Sequence, residues 1–262
     1  MFGFLLKKFF YDLWDNFFLI IALNFGFLLF VSLAYFLFRL SYITKIIYLP
    51  VIILLVFVYL LLVFLCCAVS VLKNISDYRR PNPADFFKNI KRALVPAAVL
   101  FTGLVFLFFI IRITVPVYLE MAGITGWGAA FFSCWICFFI VVCVQFYPPA
   151  YYRFGRRPFK SLKKCAAFVF DNALFGFFAL IVTIVLSVPV LPFPCCPLLF
   201  LDEALRLRLL KYDWLLKQKT EQQSENRSAV MERKKIPWKE LLKEETENTG
   251  NRTWKSFVFP WK

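Results

Sequence analysis

Histidine is absent from this chain. That single absence removes imidazole acid–base catalysis and histidine-ligated metal. No Walker-type glycine loop, G-x-S-x-G elbow or HExxH run is present either, so a nucleotide cradle, a serine nucleophile and a zinc-peptidase helix have no sequence basis. Carboxylates are scarce, 16 against 31 Lys and Arg, and those expected at a membrane interface reduce to Asp15 and Asp171. A lipid-modifying enzyme would need a richer cluster. No cleavable signal is expected either, because the first long apolar run lies behind Asp12 and Asp15 and lacks a small-residue cleavage site. The sequence therefore points to no catalytic residues, no metal and no cofactor, and the expected protein is not an enzyme.

What the chain has in excess is apolar surface. Of its 262 residues 61% are hydrophobic and 20% aromatic, with 35 Phe and a mean hydropathy of +0.71. That exceeds the apolar share of a soluble domain and implies an all-α, polytopic helical membrane protein. A span needs about 20 apolar residues, so five to six spans and a tail use the whole length. The formal charge of +15 would suggest nucleic acid in a soluble protein. Here it belongs to loops that flank membrane, and no nucleic acid is expected.

The organising feature is a short basic segment that precedes an apolar run. FKNIKR at 87–92 returns as FKSLKK at 159–164, 72 residues later, and the N-terminus carries a weaker form in Leu6, Lys7 and Lys8. Lys8 and Lys164 are each followed seven residues on by Asp-Asn, at Asp15, Asn16 and at Asp171, Asn172. A recurring unit of this kind suggests three hairpin-like repeats, each led into by a basic surface helix.

The expected spans are 17–38, 46–72, 93–112, 127–146 and 171–188, with a short or re-entrant segment at 189–201, all within a transmembrane domain at 1–201. Arg112 interrupts the third apolar path and Pro116 should kink a helix carried further. Four prolines (Pro189, Pro192, Pro194, Pro197) break the last apolar stretch, and 166–201 is slightly short for two crossings. The two loops at 73–92 and beyond Pro149 carry six Lys/Arg each, so they are expected on the cytoplasmic side together with both termini.

The region 202–262 reads as a cytoplasmic tail. Leu201, Leu205, Leu209, Tyr212 and Leu216 form an apolar stripe, with Arg206, Arg208 and Lys211 free to face phosphate groups. Residues 217–235 look too polar to pack. Pro237 and Trp238 start a small helix through Leu241 and Leu242, and Trp254, Phe257, Phe259 and Trp261 are placed to dock on a membrane or on the protein itself.

Polar residues inside spans are functional candidates because they are costly there. They are Asn24, Arg112, Gln145, Asp171 and Asn172. The plainer reading has Asn24 and Gln145 bonding between helices, Asp171 and Asn172 starting a helix at the interface, and Arg112 either paired with Glu120 or snorkelling outward. The basic surface is Arg79, Arg80, Lys88, Lys91, Arg92, Lys160, Lys163 and Lys164. It suits anionic lipid or an acidic partner surface, although basic loops also arise from topology alone. Seven of the eight cysteines lie in apolar runs and read as small core residues, including Cys134 and Cys137 in a C-x-x-C pair.

The residues Trp14, Asp15, Asn16 and Asn24, then Arg79 and Arg80 followed by FFKNIKR at 86–92, then Leu162, Lys163 and Lys164 before Asn172, resemble the YesL family of small bacterial integral membrane proteins. The resemblance covers about residues 4–200, and the long tail departs from it. It implies a multi-pass protein of the bacterial cytoplasmic membrane, of unknown function. The expected role is an accessory or regulatory component of a membrane assembly such as a transport system, with the bilayer, anionic lipid and another membrane protein as partners. The alternative is a transporter or channel for a small solute with its site between repeats.

Overall fold

The computed structural model describes residues 2–43, 48–121, 123–155, 157–187, 194–224 and 237–249. Among these the fold is all helical, in the order α1 (Phe2–Asp15), α2 (Phe17–Ile43), α3 (Leu49–Ser76), α4 (Ala84–Lys88), α5 (Ile90–Phe109), a π turn (Ile110–Thr114), α6 (Val115–Glu120), α7 (Ile124–Gln145), α8 (Tyr147–Arg153), α9 (Pro158–Asp171), α10 (Ala173–Ser187), α11 (Cys195–Ser224), α12 (Trp238–Leu241) and α13 (Lys243–Thr249). Four stretches are long and apolar enough to cross a membrane: Phe17–Ser41, Leu49–Ser76, Ile90–Glu120 and Ile124–Gln145. The pair α9 and α10, bent by 103°, makes a fifth if the two count as one broken span. Their outward faces expose Phe18, Phe25, Leu55, Phe106, Phe131 and Trp135. A water-soluble monomer does not carry apolar surface on this scale.

Several spans are longer than the hydropathy pattern suggests. The second continues past Lys73 to Ser76, where the Lys73 ammonium donates to the Tyr152 carbonyl at 3.0 Å. The third starts at Ile90 and is not broken by Pro116. Proline has no N–H to give the carbonyl four residues back, and the helix absorbs the defect as the π turn, in which the Val115 N–H reaches the Ile110 carbonyl. The chain then turns at Gly123, whose φ of 104° suits a residue without Cβ.

All three basic segments lead into a long helix through one asparagine. Asn16, Asn89 and Asn172 each interrupt the helix, and each side-chain amide donates to the carbonyl four residues back: Asp12 at 3.0 Å, Asp85 at 2.8 Å and Phe168 at 3.1 Å. In each case the same carbonyl also accepts the asparagine's own backbone N–H, so the side chain adds a second bond at the end of the lead-in helix. In sequence FKNIKR pairs with FKSLKK, which sets Asn89 against Ser161; in the fold Asn89 is instead the counterpart of Asn16 and Asn172. The basic residues of the middle copy therefore straddle the break, whereas those of the outer copies precede it.

The core lies around the second half of α3. Cys66, Cys67, Ala68, Val69, Val71 and Leu72 are almost fully enclosed by α2, α5, α8 and α11. The small thiols and alanine there let four neighbours close on one helix.

α11 differs most from expectation. Residue 201, where the membrane part was expected to end, lies inside it. Its first N–H, on Cys195, donates to Asn24 Oδ1 at 3.1 Å, about two turns into α2. α11 thus begins beside the interior of a span and runs outward past the end of α3. The expected 189–201 segment lies partly outside the described residues, as does much of the polar stretch at 217–235; α11 continues as helix to Ser224.

Candidate functional site: a buried ionic clasp

Where α3 ends, five elements meet through charged side chains. Arg153, from α8, uses both sides of its fork. Nε and one terminal nitrogen donate to the two oxygens of Asp202 at 2.8 and 2.5 Å, and the other terminal nitrogen donates to Asp77 at 3.0 Å. Ser76 accepts from Arg153 at 2.6 Å and donates to Asp202 at 2.5 Å. A bidentate guanidinium–carboxylate pair is directional and stronger than a neutral bond. Asp202 is fully buried.

Arg206, one turn along α11, approaches Asp77 at 3.5 Å and donates to Glu245 of α13 at 2.7 Å. Tyr78 joins the two halves. Its hydroxyl donates to Glu245 at 2.9 Å, while Lys8 lies 4.0 Å and the Arg206 guanidinium 4.9 Å from its ring centroid. Both are cation–π contacts. Tyr78 holds a φ of 55° in a helix-ending turn where its N–H returns to Ile75 and that of Arg79 to Asn74. Glycine normally fills this position. A tyrosine here costs about 1–2 kcal/mol of backbone strain, which the two cations and Glu245 offset.

Lys8 of α1 completes the cluster. It is fully buried, is paired to Asp12 one turn on, and faces Glu203 of α11. Burial acts to lower the Lys8 pKa, but Glu203, Asp12 and Tyr78 together outweigh it and raise the value. Burial pushes the Glu203 carboxyl well above the usual range, with Lys8 acting against it and Asp12 adding to it. Among the described residues neither Glu203 oxygen has a donor in bonding geometry. Burial also works against the charge on Arg153, and Asp202 and Asp77 more than restore it.

The tail is held by the same contacts. Leu242 is buried and Glu245 is 5% exposed. Arg208 lies 4.2 Å over Phe175 and 5.5 Å over Trp238, and burial lowers its pKa. This corrects the expectation that Arg206 and Arg208 face phosphate groups: carboxylates and aromatic rings of the protein take both. The terminal aromatics Trp254, Phe257, Phe259 and Trp261 lie outside the described residues.

The five intramembrane candidates do not form one site. Asn24 is buried and caps α11. Gln145 donates to the Gly176 carbonyl at 3.1 Å, where α7 and α10 cross so closely that a Cβ on Gly176 would meet Val142 at 3.1 Å. Asn172 donates to the Tyr212 hydroxyl at 2.7 Å, and that hydroxyl donates to Asp171 at 3.1 Å, so these two tie the α9–α10 bend to α11. Arg112 is exposed, in the π turn. Its position 22 residues beyond Ile90 is about 33 Å along the helix, at the opposite end from the clasp, and it makes no ion pair with Glu120 among the described residues.

Arg79, Arg80, Lys88, Lys91, Arg92, Lys160, Lys163 and Lys164 are all exposed at the clasp end. Lys88 sits 3.9 Å from Asp85 and Lys164 lies 4.3 Å over the Phe154 ring. Cys134 is exposed on α7 and Cys137 buried.

Sequence reasoning missed Lys8, Asp12, Asp77, Arg153, Asp202, Glu203 and Glu245. One signal was available. Lys8 and Asp12 are an i, i+4 pair on the apolar side of an amphipathic helix, and Asp202 and Glu203 follow directly on an apolar run. Comparison with known protein families, curated proteins and solved structures finds no match for this chain.

Proposed function

We propose that the protein is a non-enzymatic accessory or regulatory component of a membrane assembly, such as a transport system, and that it acts through its basic end. The observation that supports this most is the clasp. Three cations and five carboxylates from α1, α3 and its following turn, α8, α11 and α13 are engaged with one another. This leaves the exposed Lys and Arg of the lead-in segments as a rigidly spaced basic surface, suited to anionic lipid headgroups and to an acidic face of another membrane protein. The positive-inside rule favours the cytoplasm for that end, and the resemblance to the YesL family favours a bacterial cytoplasmic membrane.

A solute transporter is the second reading, because α11 starts beside the interior of a span as broken transporter helices do. It ranks lower since Asn24 is occupied in capping α11 and Arg112 stands at the far end. The test is photo-crosslinking in native membranes from positions 91 and 160. The expected result is one common membrane-protein partner at both positions, lost on reversing Arg79 and Arg80 to Glu. No partner, together with solute uptake by proteoliposomes that depends on Asn24, would replace this reading with the transporter.

A further inference from the structure

α5 and α7 join tightly through the π turn and α6 but diverge toward the clasp end, where α9 packs beside both. Between the three helices lies a crevice of about 260 Å³, open on one side and almost wholly apolar, lined by Val99, Gly103, Phe139, Tyr147, Leu162 and Ala166 among others. We infer that this crevice holds one acyl chain of an anionic phospholipid, with the phosphate seated between Arg92 and Lys163.

Two independent features support that occupant. The first is shape. Gly103 has nothing within 4 Å of where a Cβ would stand, and α9 presents Ala166 where the matching position of α1 is Phe10. Both walls are thus cut back at a place where helices elsewhere in the fold close on one another. The second is charge at the mouth. Arg92, Val99 and Gly103 share one face of α5 at spacings of seven and four, which sets Arg92 about 10 Å nearer the basic end than Val99. On α9, Lys163 adjoins Leu162 and lies three residues before Ala166. Each of the two full basic segments thus contributes one wall and one cation to the same slot. Both cations are exposed, and neither makes an ion pair among the described residues. An apolar slot with a cationic mouth at a membrane interface matches the two parts of an anionic lipid. The inference deepens the lipid-binding part of the proposed function and rests on the basic end lying at an interface.

The test is native mass spectrometry of the full-length protein in mild detergent, titrated with phosphatidylglycerol or phosphatidylcholine. One retained phosphatidylglycerol per chain is expected, preferred about thirtyfold from two basic side chains. Gly103→Leu and Ala166→Phe, which fill the crevice from opposite walls, and the double variant R92Q/K163Q should each lose that lipid. K88Q/K160Q, equally basic in origin but outside the slot, should keep it. Thermal midpoints of the variants check that they fold; Gly103→Leu improves helix propensity and has space to do so. Retention by both filled variants would overturn the slot. Equal loss from K88Q/K160Q would also overturn it while leaving a diffuse anionic-lipid surface intact. No preference for phosphatidylglycerol in the unaltered protein would overturn both.

Discussion

α1 and α9 are two versions of one device. Each has fourteen residues, carries a lysine seven positions before a terminal Asp, and ends on an asparagine whose amide bonds the carbonyl four residues back. Their surroundings are opposite. In α1 the lysine is buried with Asp12 against α11; in α9 Lys164 is exposed and Phe168 takes the place of Asp12, packed 5.2 Å from the Phe146 ring. The asparagine break fixes how a surface helix feeds a span, and the residue four before it selects an ionic or an apolar neighbour. One frame thereby supplies both a clasp and a crevice wall.

The largest expected effect comes from removing the charge that distinguishes the two copies. Lys8→Met leaves Asp12 and Glu203 buried without their cation, a loss of about 3–5 kcal/mol for a broken buried pair. The matching substitution Lys164→Met removes only an exposed cation–π contact to Phe154 and should cost about 1 kcal/mol or less. Similar losses at the two positions would mean that α1 and α9 are in equivalent settings after all.

Next come the asparagines. Asn172→Ala removes bonds to the Phe168 carbonyl and to Tyr212 from a buried amide and should cost about 1–3 kcal/mol. Asn16→Ala removes one half-exposed bond and should cost about 1 kcal/mol or less. Equal effects would show that the break itself, not its tie to α11, carries the stability. Between these two lies Asn24→Leu, which converts that position to the Leu180 of the third copy. It deletes a helix cap worth about 1–2 kcal/mol, and amide exchange should rise first at the start of α11.

The hydropathy pattern makes the span helices legible, because a lipid-exposed helix must be apolar over most of its circumference. Asn16 and Asn172 are legible as a pair at fixed distance from a lysine. Asn89 is hidden, since the basic letters around it align with a different register. The clasp is not legible because its partners are remote: 49 positions separate Arg153 from Asp202, and 167 separate Tyr78 from Glu245. Singly, each of these charges resembles an ordinary loop residue at a membrane border. The α11 stripe shows the same limit. Leu201 and Leu205 are both buried, but the buried Asp202 and Glu203 beside them draw that part of α11 against protein instead of lipid.

The smallest effect tests the protonation state that α1 imposes and α9 does not. Glu203 has its carboxyl pKa raised in the folded protein, chiefly by burial, while in the unfolded chain it titrates near the ordinary value of about 4.3. Above that pH the unfolded state gives up a proton that the folded state keeps. The stability linked to this group is therefore complete below the ordinary value and declines as pH rises, until the folded carboxyl itself ionises. Glu203→Gln cannot ionise, so between about pH 5 and pH 8 its thermal midpoint should fall less than that of the unaltered protein, with the two converging in acid. Lys8→Met should steepen the decline, because the ammonium that favours ionised Glu203 is gone, whereas Lys164→Met should leave the slope as it is. Parallel profiles for the unaltered protein and Glu203→Gln would place an ionised carboxylate in the clasp. The face that separates α1 from α9 would then be a balanced set of charges, with no stored proton.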